Sequence, residues 1–265
     1  MYKGRLFTFG CSFTHWNWPT WADLLGQEFE EHYNYATAGA GNLYIACNLA
    51  ETIARHDINK NDTVMIMWSN STREDRYVNS WVCPGNIHSY PETKENPYSK
   101  KFIRDFITIR GCYVRDLALM QLADTLLQGL GSKYHFMSMV DIEFSGQFNY
   151  QDDSDSIKDL LVLYKDTLSK FKPSVHSVIF NKDWHSRPWI EGESTRPDTH
   201  PLPLEHMEYI NKVLPEYKFS DWTVEFAKKY DQQAKEIYRA NPNEPIHVWD
   251  FHEEKRVPNS RAPEI

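Results

Sequence analysis

Apolar residues along this chain occur in two patterns, of which the first is the short continuous run. Runs that are rich in β-branched and aromatic residues and bounded by turn-forming residues are typical of buried strands. The clearest run, TVMIMW, follows an Asn-Asp pair. Runs of this kind predict strands at positions 5–11, 33–38, 63–68, 134–140 and 174–180.

The second pattern is an apolar residue every three or four positions, which is typical of amphipathic helices. Leu43, Ala46 and Ala50 form one such stripe. This spacing predicts helices at positions 20–32, 42–56, 104–130, 157–171, 203–214 and 222–239. Strands and helices alternate along the chain, and such alternation calls for a parallel sheet with helices on both faces. The sequence therefore predicts an α/β fold and a single domain over residues 1–265.

Two segments depart from this alternation. Residues 71–103 are polar and aromatic with few periodic signals, and long irregular segments inside compact domains are usually functional or mobile. We interpret them as an insertion or lid. Residues 216–265 follow the last helix expected in the core, and we interpret them as a C-terminal helical extension.

Charge and composition narrow the class of partner. The chain is 41% hydrophobic and 25% charged, as soluble globular proteins are, and its net charge is −8. Nucleic acids and anionic membranes attract basic surfaces, so neither is the expected partner. No run approaches the roughly 18 apolar residues of a membrane span, and the first residues lack the apolar core of a secretion signal. We therefore expect a cytoplasmic protein.

Cysteine and histidine spacing argues against a metal or cofactor site. The four cysteines are widely separated and form no CxxC pair, which favours reduced thiols. None of the 11 histidines belongs to an HExxH motif. A glycine-rich turn at Gly39 and Gly41 could cradle a phosphate, but Tyr44 occupies the third glycine position of GxGxxG. We expect neither a metal nor a bound cofactor.

Candidate chemistry lies where predicted strands end, because active groups of open parallel sheets gather at that edge. The first strand ends in Gly10 and Cys11 and is followed by Ser12, and a serine at such a turn is either an exposed nucleophile or a turn residue. The second is followed by Gly39, where small residues let backbone N–H groups approach a ligand. Asn70 follows the third strand, and its amide could donate to a developing oxyanion.

A base for Ser12 must come from elsewhere in the chain. Asp198, Thr199 and His200 stand between two prolines and before a predicted helix, which fits a histidine with its orienting acid. A second Asp-x-His segment, 183–185, is a rival base, and Cys11 is a rival nucleophile. His206 lies on the following helix and is expected to cap or pack there.

Taken together, these segments resemble the four blocks of the SGNH hydrolase superfamily, also called GDSL-like. In this resemblance Ser12 matches the nucleophile, Gly39 the oxyanion glycine, Asn70 the oxyanion asparagine and Asp198 with His200 the final block. The chain departs from the family pattern in three places. Cys11 replaces the usual aspartate, Trp68 replaces a glycine, and the Asp-to-His spacing is one residue shorter. Small phage-encoded members look similar in these departures.

The resemblance implies a fold and a reaction. The fold would be three-layer α/β/α and flavodoxin-like, with a central parallel sheet of about five strands. Ser12 would attack an ester carbonyl while His200 takes its proton and Asp198 orients the imidazole. The N–H groups of Ser12 and Gly39 and the side chain of Asn70 would bind the oxyanion.

Tryptophan placement indicates a substrate class. Sugar rings pack on aromatic faces, so an O-acylated carbohydrate is the preferred ester. The same rings could instead fill the core and brace loops. A non-catalytic glycan-binding module on the same fold and an acyltransferase remain alternatives. The tryptophans close to the candidate segments are Trp16, Trp18, Trp21, Trp68, Trp184 and Trp189.

Overall fold

The computed structural model describes residues 1–87, 98–143, 154–190, 192–193, 196–248 and 250–259, with the side chains of 154–156 left out of the description. Its strands are β1 (Tyr2–Phe9), β2 (Phe29–Asn34), β3 (Thr63–Trp68), β4 (Arg76–Tyr77), β5 (Trp81–Val82) and β6 (Lys133–Ser138). The helices are α1 (Trp21–Gly26), α2 (Asn42–His56), α3 (Lys100–Phe106), α4 (Ile109–Leu130), α5 (Ser154–Leu163), α6 (Lys165–Leu168), α7 (Val175–Val178), α8 (Pro203–Val213), α9 (Asp221–Ala240) and α10 (Phe251–Glu254).

The central sheet is parallel and has the order β2-β1-β3-β6. Its register pairs Thr8 of β1 with Asn34 of β2 on one side and with Met65 of β3 on the other. The chain winds from β1 to one neighbour and then crosses back to the other. In open α/β sheets, such a reversal opens a crevice at the carboxyl ends of the strands. The loops that follow β1, β2 and β3 therefore meet at this edge.

Helices cover the sheet in layers. The α2, α4 and α5 helices pack together, and α1, α8 and α9 form a second group. Every residue of β3 is buried, as expected for a central strand of a parallel sheet. The predicted three-layer α/β/α class is confirmed. Within the described residues, none of the helices is long and apolar enough to cross a membrane.

The C-terminal segment packs on the body of the chain. Lys255 donates to Asp23 over 2.6 Å, and both side chains are buried. The Gln27 side chain accepts the N–H of Val257 and donates to its carbonyl, at 3.0 and 3.1 Å. Asn259 then forms a parallel bridge beside the outer edge of β2. A second apolar cluster joins α9 and α10 to α1, with Trp18, Leu24, Phe226 and Phe251 among its members.

The prediction of a fifth strand at positions 174–180 is wrong. Residues 174–180 contain the short helix α7, and only Phe171 forms a bridge to β6, so the described sheet has four strands. The side chain of Ser174 accepts the Ser177 N–H at 3.0 Å, which caps the helix. The buried residues Val175 and Ile179 are spaced four apart, which is a helical spacing.

Several other bounds differ from expectation. The helix predicted at 20–32 ends at Gly26, and the second strand begins at Phe29 rather than at 33. A Cβ at Gly26 would lie 2.3 Å from His32 Nδ1, so helix and strand meet closely there. The helices predicted at 104–130 and 157–171 are each broken into two, at Ile107 and at Tyr164. By contrast, α2 and β3 have the predicted bounds.

The segment predicted as a lid, 71–103, is only partly described, since residues 88–97 lie outside the described residues. Residues 71–75 are buried, so this first stretch of the segment packs into the body of the chain. The exposed part begins with the hairpin of β4 and β5.

Candidate active site

Ser12 lies in a tight turn directly after β1. The Cys11 carbonyl accepts the N–H groups of Thr14 and His15, at 2.8 and 3.1 Å. A Cβ at Gly10 would lie 2.1 Å from Thr14 Oγ1, so only glycine fits before this turn. The turn brings Ser12 to the carboxyl edge of the sheet, where the residue retains 4% of its accessible surface.

The structure brings Ser12 into contact with the histidine predicted as its base. His200 Nε2 lies 2.8 Å from Ser12 Oγ. Asp198 Oδ1 lies 2.5 Å from His200 Nδ1 and also accepts the His200 backbone N–H at 2.8 Å. The shortened Asp-x-His spacing therefore lets one carboxylate oxygen hold both the backbone and the ring. With Nδ1–H directed at Asp198, the Nε2 lone pair faces the hydroxyl.

The charge on Asp198 is maintained by its neighbour. Burial alone would raise the pKa of this carboxyl, but the hydrogen bond and charge of His200 outweigh it and hold the pKa below its ordinary value. Asp198 is thus ionised at neutral pH. An ionised carboxylate at this position stabilises an imidazolium formed on His200.

Arg196 holds the loop that carries the pair, and sequence reasoning missed it. Its side chain has 0% exposure and forms an ion pair with Glu205 over 2.9 Å. Nε donates to the Asp198 carbonyl at 2.7 Å, and Nη2 donates to the His200 carbonyl at 2.8 Å. The guanidinium also lies over the ring of Phe180, 4.6 Å from its centroid. One signal was present in the sequence, an arginine two residues before the acid.

Aromatic rings fix the position of the imidazole. Trp16 stacks on His200 with ring centroids 3.7 Å apart, and Phe13 lies 5.1 Å away at a tilt. The Trp18 indole donates to the Pro201 carbonyl at 2.8 Å. These residues follow the turn at Ser12, so one short segment supplies Ser12 and also packs the loop that carries His200.

Gly39 occupies a backbone conformation that requires glycine. Its φ is +80°, and a Cβ there would lie 2.2 Å from the Cys83 carbonyl oxygen. The Thr37 N–H donates to the Gly10 carbonyl at 3.3 Å, which links this loop to the Ser12 turn. Among the described residues, the backbone N–H groups of Ser12 and Gly39 have no hydrogen-bond acceptor. Both can therefore donate to a substrate oxygen.

Asn70 lies directly past the end of β3 in a turn that orients its side chain. Oδ1 accepts the backbone N–H of Thr72 at 3.0 Å and its hydroxyl at 2.9 Å, which makes Nδ2 the donor end. Ser69 is fixed by Asn42, whose side chain accepts the Ser69 N–H at 2.8 Å. Gly39 and Asn70 thus share the carboxyl edge of the sheet with Ser12.

The rival residues are placed differently. The Cys11 side chain is buried and contacts Met139 Sδ at 3.8 Å, so it points into the core. His185 is exposed, and no partner of its ring occurs among the described residues. His206 is buried on α8, where burial lowers its pKa to about 3.

Most of the tryptophans near the motifs are structural. Trp18, Trp21, Trp68 and Trp189 are buried in the two apolar clusters. Only Trp16 and Trp184 are half-buried, and Trp184 packs on Phe13 with ring centroids 5.8 Å apart. The aromatic surface available to a sugar is therefore smaller than the sequence indicates.

Within the described residues, no three histidine, cysteine or acidic side chains lie close enough together to hold a metal ion.

No protein-family model matches the chain, and no curated protein matches its sequence. Solved structures similar to it include a member of the lipolytic protein G-D-S-L family from Veillonella parvula, at 12% identity over 80% of this chain and 99% of that one, with a TM-score of 0.42. A catalytic mutant of Axe2, an acetylxylan esterase from Geobacillus stearothermophilus, has 14% identity over 83% and 97%, with a TM-score of 0.45. TesA has 9% identity over 81% and 100%, with a TM-score of 0.43.

The chemistry of the site follows from its own geometry. The narrower resemblance to phage-encoded members has no support among these structures.

Proposed function

We propose that this chain is a serine esterase that cleaves a carboxylic ester through an acyl-enzyme. The observation that carries the proposal is the continuous hydrogen-bonded series from Ser12 through His200 to Asp198. A hydroxyl is a weak nucleophile by itself, and an adjacent general base with an orienting acid activates it. The proposed catalytic residues are Ser12, His200, Asp198, Gly39 and Asn70.

In the first half of the reaction, Ser12 Oγ attacks the ester carbonyl carbon as its proton moves to His200 Nε2. The carbonyl oxygen becomes an oxyanion, which the N–H groups of Ser12 and Gly39 and the amide of Asn70 bind. The bond from carbon to the alcohol oxygen then breaks, and His200 protonates the departing alcohol. Losing one oxyanion donor costs about 3–4 kcal/mol of barrier in comparable hydrolases.

In the second half, water attacks the acyl-enzyme and gives its proton to His200. The tetrahedral intermediate collapses to the free acid, and the proton returns to Ser12 Oγ. An acceptor hydroxyl in place of this water would make the protein an acyltransferase. Adding sugar alcohols to the assay separates the two, because transfer yields a new ester instead of acid.

A fluorophosphonate probe tests the proposal, because it labels only an activated serine. We expect the wild type to be labelled and Ser12→Ala to be unlabelled and inactive on p-nitrophenyl acetate. Cys11→Ala is the matched control, one residue away, and should retain labelling. Labelling of Ser12→Ala would contradict the assignment of Ser12 as the nucleophile. An unlabelled, folded wild type would favour the non-catalytic glycan-binding module.

As a finer proposal, the ester is an O-acylated carbohydrate. Trp184 supports it, since this half-buried ring lies beside Phe13, which contacts the His200 ring. Trp184→Phe should lower kcat/KM for an acetylated oligosaccharide more than for p-nitrophenyl acetate, with Trp222→Phe on α9 as control. Equal losses on both substrates would contradict a sugar-binding role.

A further inference from the structure

Arg73 is a buried cation without an ion pair among the described residues, although its charge acts to lower the pKa of the nearby Asp75 carboxyl, which burial raises. The residue is 8% exposed, and its Nη1 donates to the Ala40 carbonyl at 2.8 Å. Nη2 meets only the thioether sulfur of Met139, at 3.8 Å, and Nε has no partner. In the part of the chain that the structure describes, no carboxylate forms an ion pair with this guanidinium.

Other buried cations of the chain are paired. Arg196 contacts Glu205, and Lys255 contacts Asp23. Pairing is the general rule, because a charge removed from water without a counterion is strongly destabilising. The sequence contains 37 acidic residues, so it does not lack carboxylates that could pair with a buried cation. A buried cation that has no carboxylate within ion-pair distance in the described part of the chain calls for a reason in structure or function.

The position of Arg73 supplies that reason. Ala40, which it contacts through the carbonyl, directly follows Gly39. Met139 Sδ, its second contact, also meets Cys11 Sγ at 3.8 Å and Ser69 Oγ at 3.7 Å. These two residues directly precede Ser12 and Asn70 in the chain. The guanidinium thus lies beneath the loops that carry all three proposed oxyanion donors.

We propose that Arg73 is a positioning residue whose positive charge stabilises the oxyanion formed at Ser12, and whose bond to Ala40 holds the Gly39 turn. The inference rests on the proposed esterase function. Arg73 is assigned no contact with the reacting atoms, since its guanidinium donates to the Ala40 carbonyl and to Met139 Sδ. The positive charge stabilises a neutral ester only slightly, whereas it stabilises the oxyanion strongly in a site of low dielectric. The effect therefore falls on kcat.

The test compares Arg73→Met with Arg73→Lys. We expect Arg73→Met to lower kcat on p-nitrophenyl acetate by about 10²-fold, a loss typical of one oxyanion-stabilising group, with little change in KM. Its Tm should change little, because the variant removes a buried charge that has no ion pair but also removes its attraction to the Asp75 carboxylate. Arg73→Lys should restore most of kcat. Arg76→Met, on the same segment but exposed and paired with Glu74, is the control.

A phenylboronic acid inhibitor gives an independent readout, because it forms an anionic tetrahedral adduct with an activated serine. Its inhibition constant should rise in Arg73→Met in parallel with the loss of kcat, and Arg73→Lys should reverse the rise. If Arg73→Met does not fold, Arg73→Lys is tested alone. A rise of less than tenfold in the inhibition constant of the boronic acid for Arg73→Lys supports the role of the charge, and a larger rise contradicts it.

Three results would overturn the inference. Wild-type kcat in folded Arg73→Met would show that the charge has no role in turnover. A lowered Tm in Arg73→Met, with kcat not restored by lysine, would show a structural role alone. A loss confined to the KM of the anionic hemisuccinate ester of p-nitrophenol would show a receptor for substrate anions. Failure of the esterase proposal is recognised separately, by an unlabelled wild type.

Discussion

Two Asp-x-His segments of this chain share a backbone turn and differ in everything beyond it. In residues 183–185, Asp183 Oδ1 accepts the His185 backbone N–H at 2.9 Å. In residues 198–200, Asp198 Oδ1 accepts the His200 backbone N–H at 2.8 Å. Short side chains of aspartate commonly bond the backbone two residues on, so the tripeptide alone accounts for the turn.

The two imidazoles have different surroundings. His185 is exposed, and its ring has no partner among the described residues. The His200 side chain retains 16% exposure and is held by Asp198, by Ser12 and by stacking on Trp16. Arg196 also binds the carbonyls on both sides of Thr199. The tripeptide sets the turn, and residues far away in sequence set the direction of the ring.

The largest expected difference between the two segments is the effect of removing each imidazole. His200→Ala should lower kcat on p-nitrophenyl acetate by about 10⁵- to 10⁶-fold, as losing the base does in serine hydrolases. His185→Ala should leave kcat unchanged. Steady-state kinetics measure both, with Tm as the control for folding. A comparable loss of kcat in His185→Ala would mean that the base has been assigned to the wrong segment.

The next difference concerns the two carboxylates. Asp198→Asn should lower kcat by about 10³- to 10⁴-fold, because an amide no longer fixes the tautomer that presents the Nε2 lone pair or stabilises the imidazolium. Asp183→Asn preserves its turn and should retain full activity. If Asp198→Asn turns over at the wild-type rate, the imidazole is oriented by its packing alone.

These comparisons also show which parts of the structure the sequence could predict. The bounds of β3 and α2 agree with prediction because a continuous apolar run and a regular apolar stripe are local signals. The strand expected at 174–180 failed because β-branched residues favoured it, while Ser174 capped a helix whose buried positions follow helical spacing. Local preference for strands is overridden where capping and packing agree on a helix.

At the site, the motif residues were predictable, and their supports were not. Ser12, Asp198 and His200 carry short-range signals that survive in the sequence alone. Arg196 and Arg73 look like surface residues in a sequence, because arginine is mostly exposed in proteins. Their burial depends on carbonyls and rings that only the fold brings together. An isolated sequence therefore indicates the proposed catalytic groups more clearly than the groups that hold them in place.

A smaller effect is expected from weakening the support of the 198–200 segment. Arg196→Lys keeps a charge beside Glu205 but cannot donate to both the Asp198 and His200 carbonyls from a planar fork. We expect kcat to fall about 10- to 100-fold, and the free energy of unfolding to fall by about 1–3 kcal/mol because a buried acceptor is left unpaired.

The matched control is Arg187→Lys, which precedes the same loop and forms a half-exposed pair with Glu208. Its free energy of unfolding should change by less than about 1 kcal/mol, as for other exposed ion pairs. Urea denaturation and steady-state kinetics measure both quantities. Equal effects in the two variants would mean that Arg196 stabilises the fold without holding the base in place.

The smallest effect should come from the ring that stacks on His200. Trp16→Phe keeps an aromatic face but reduces the area in contact with the imidazole, and aromatic pairs contribute about 0.5–1.5 kcal/mol beyond burial. A loss of that size in the orientation of the base corresponds to about a 2- to 10-fold decrease in kcat. Trp16→Ala should lower kcat more than Trp16→Phe does, because it also removes the packing against His200. If both variants instead match the wild type in kcat, the hydrogen bonds of Asp198 and Arg196 are sufficient to direct His200 toward Ser12, and the aromatic cover only excludes water.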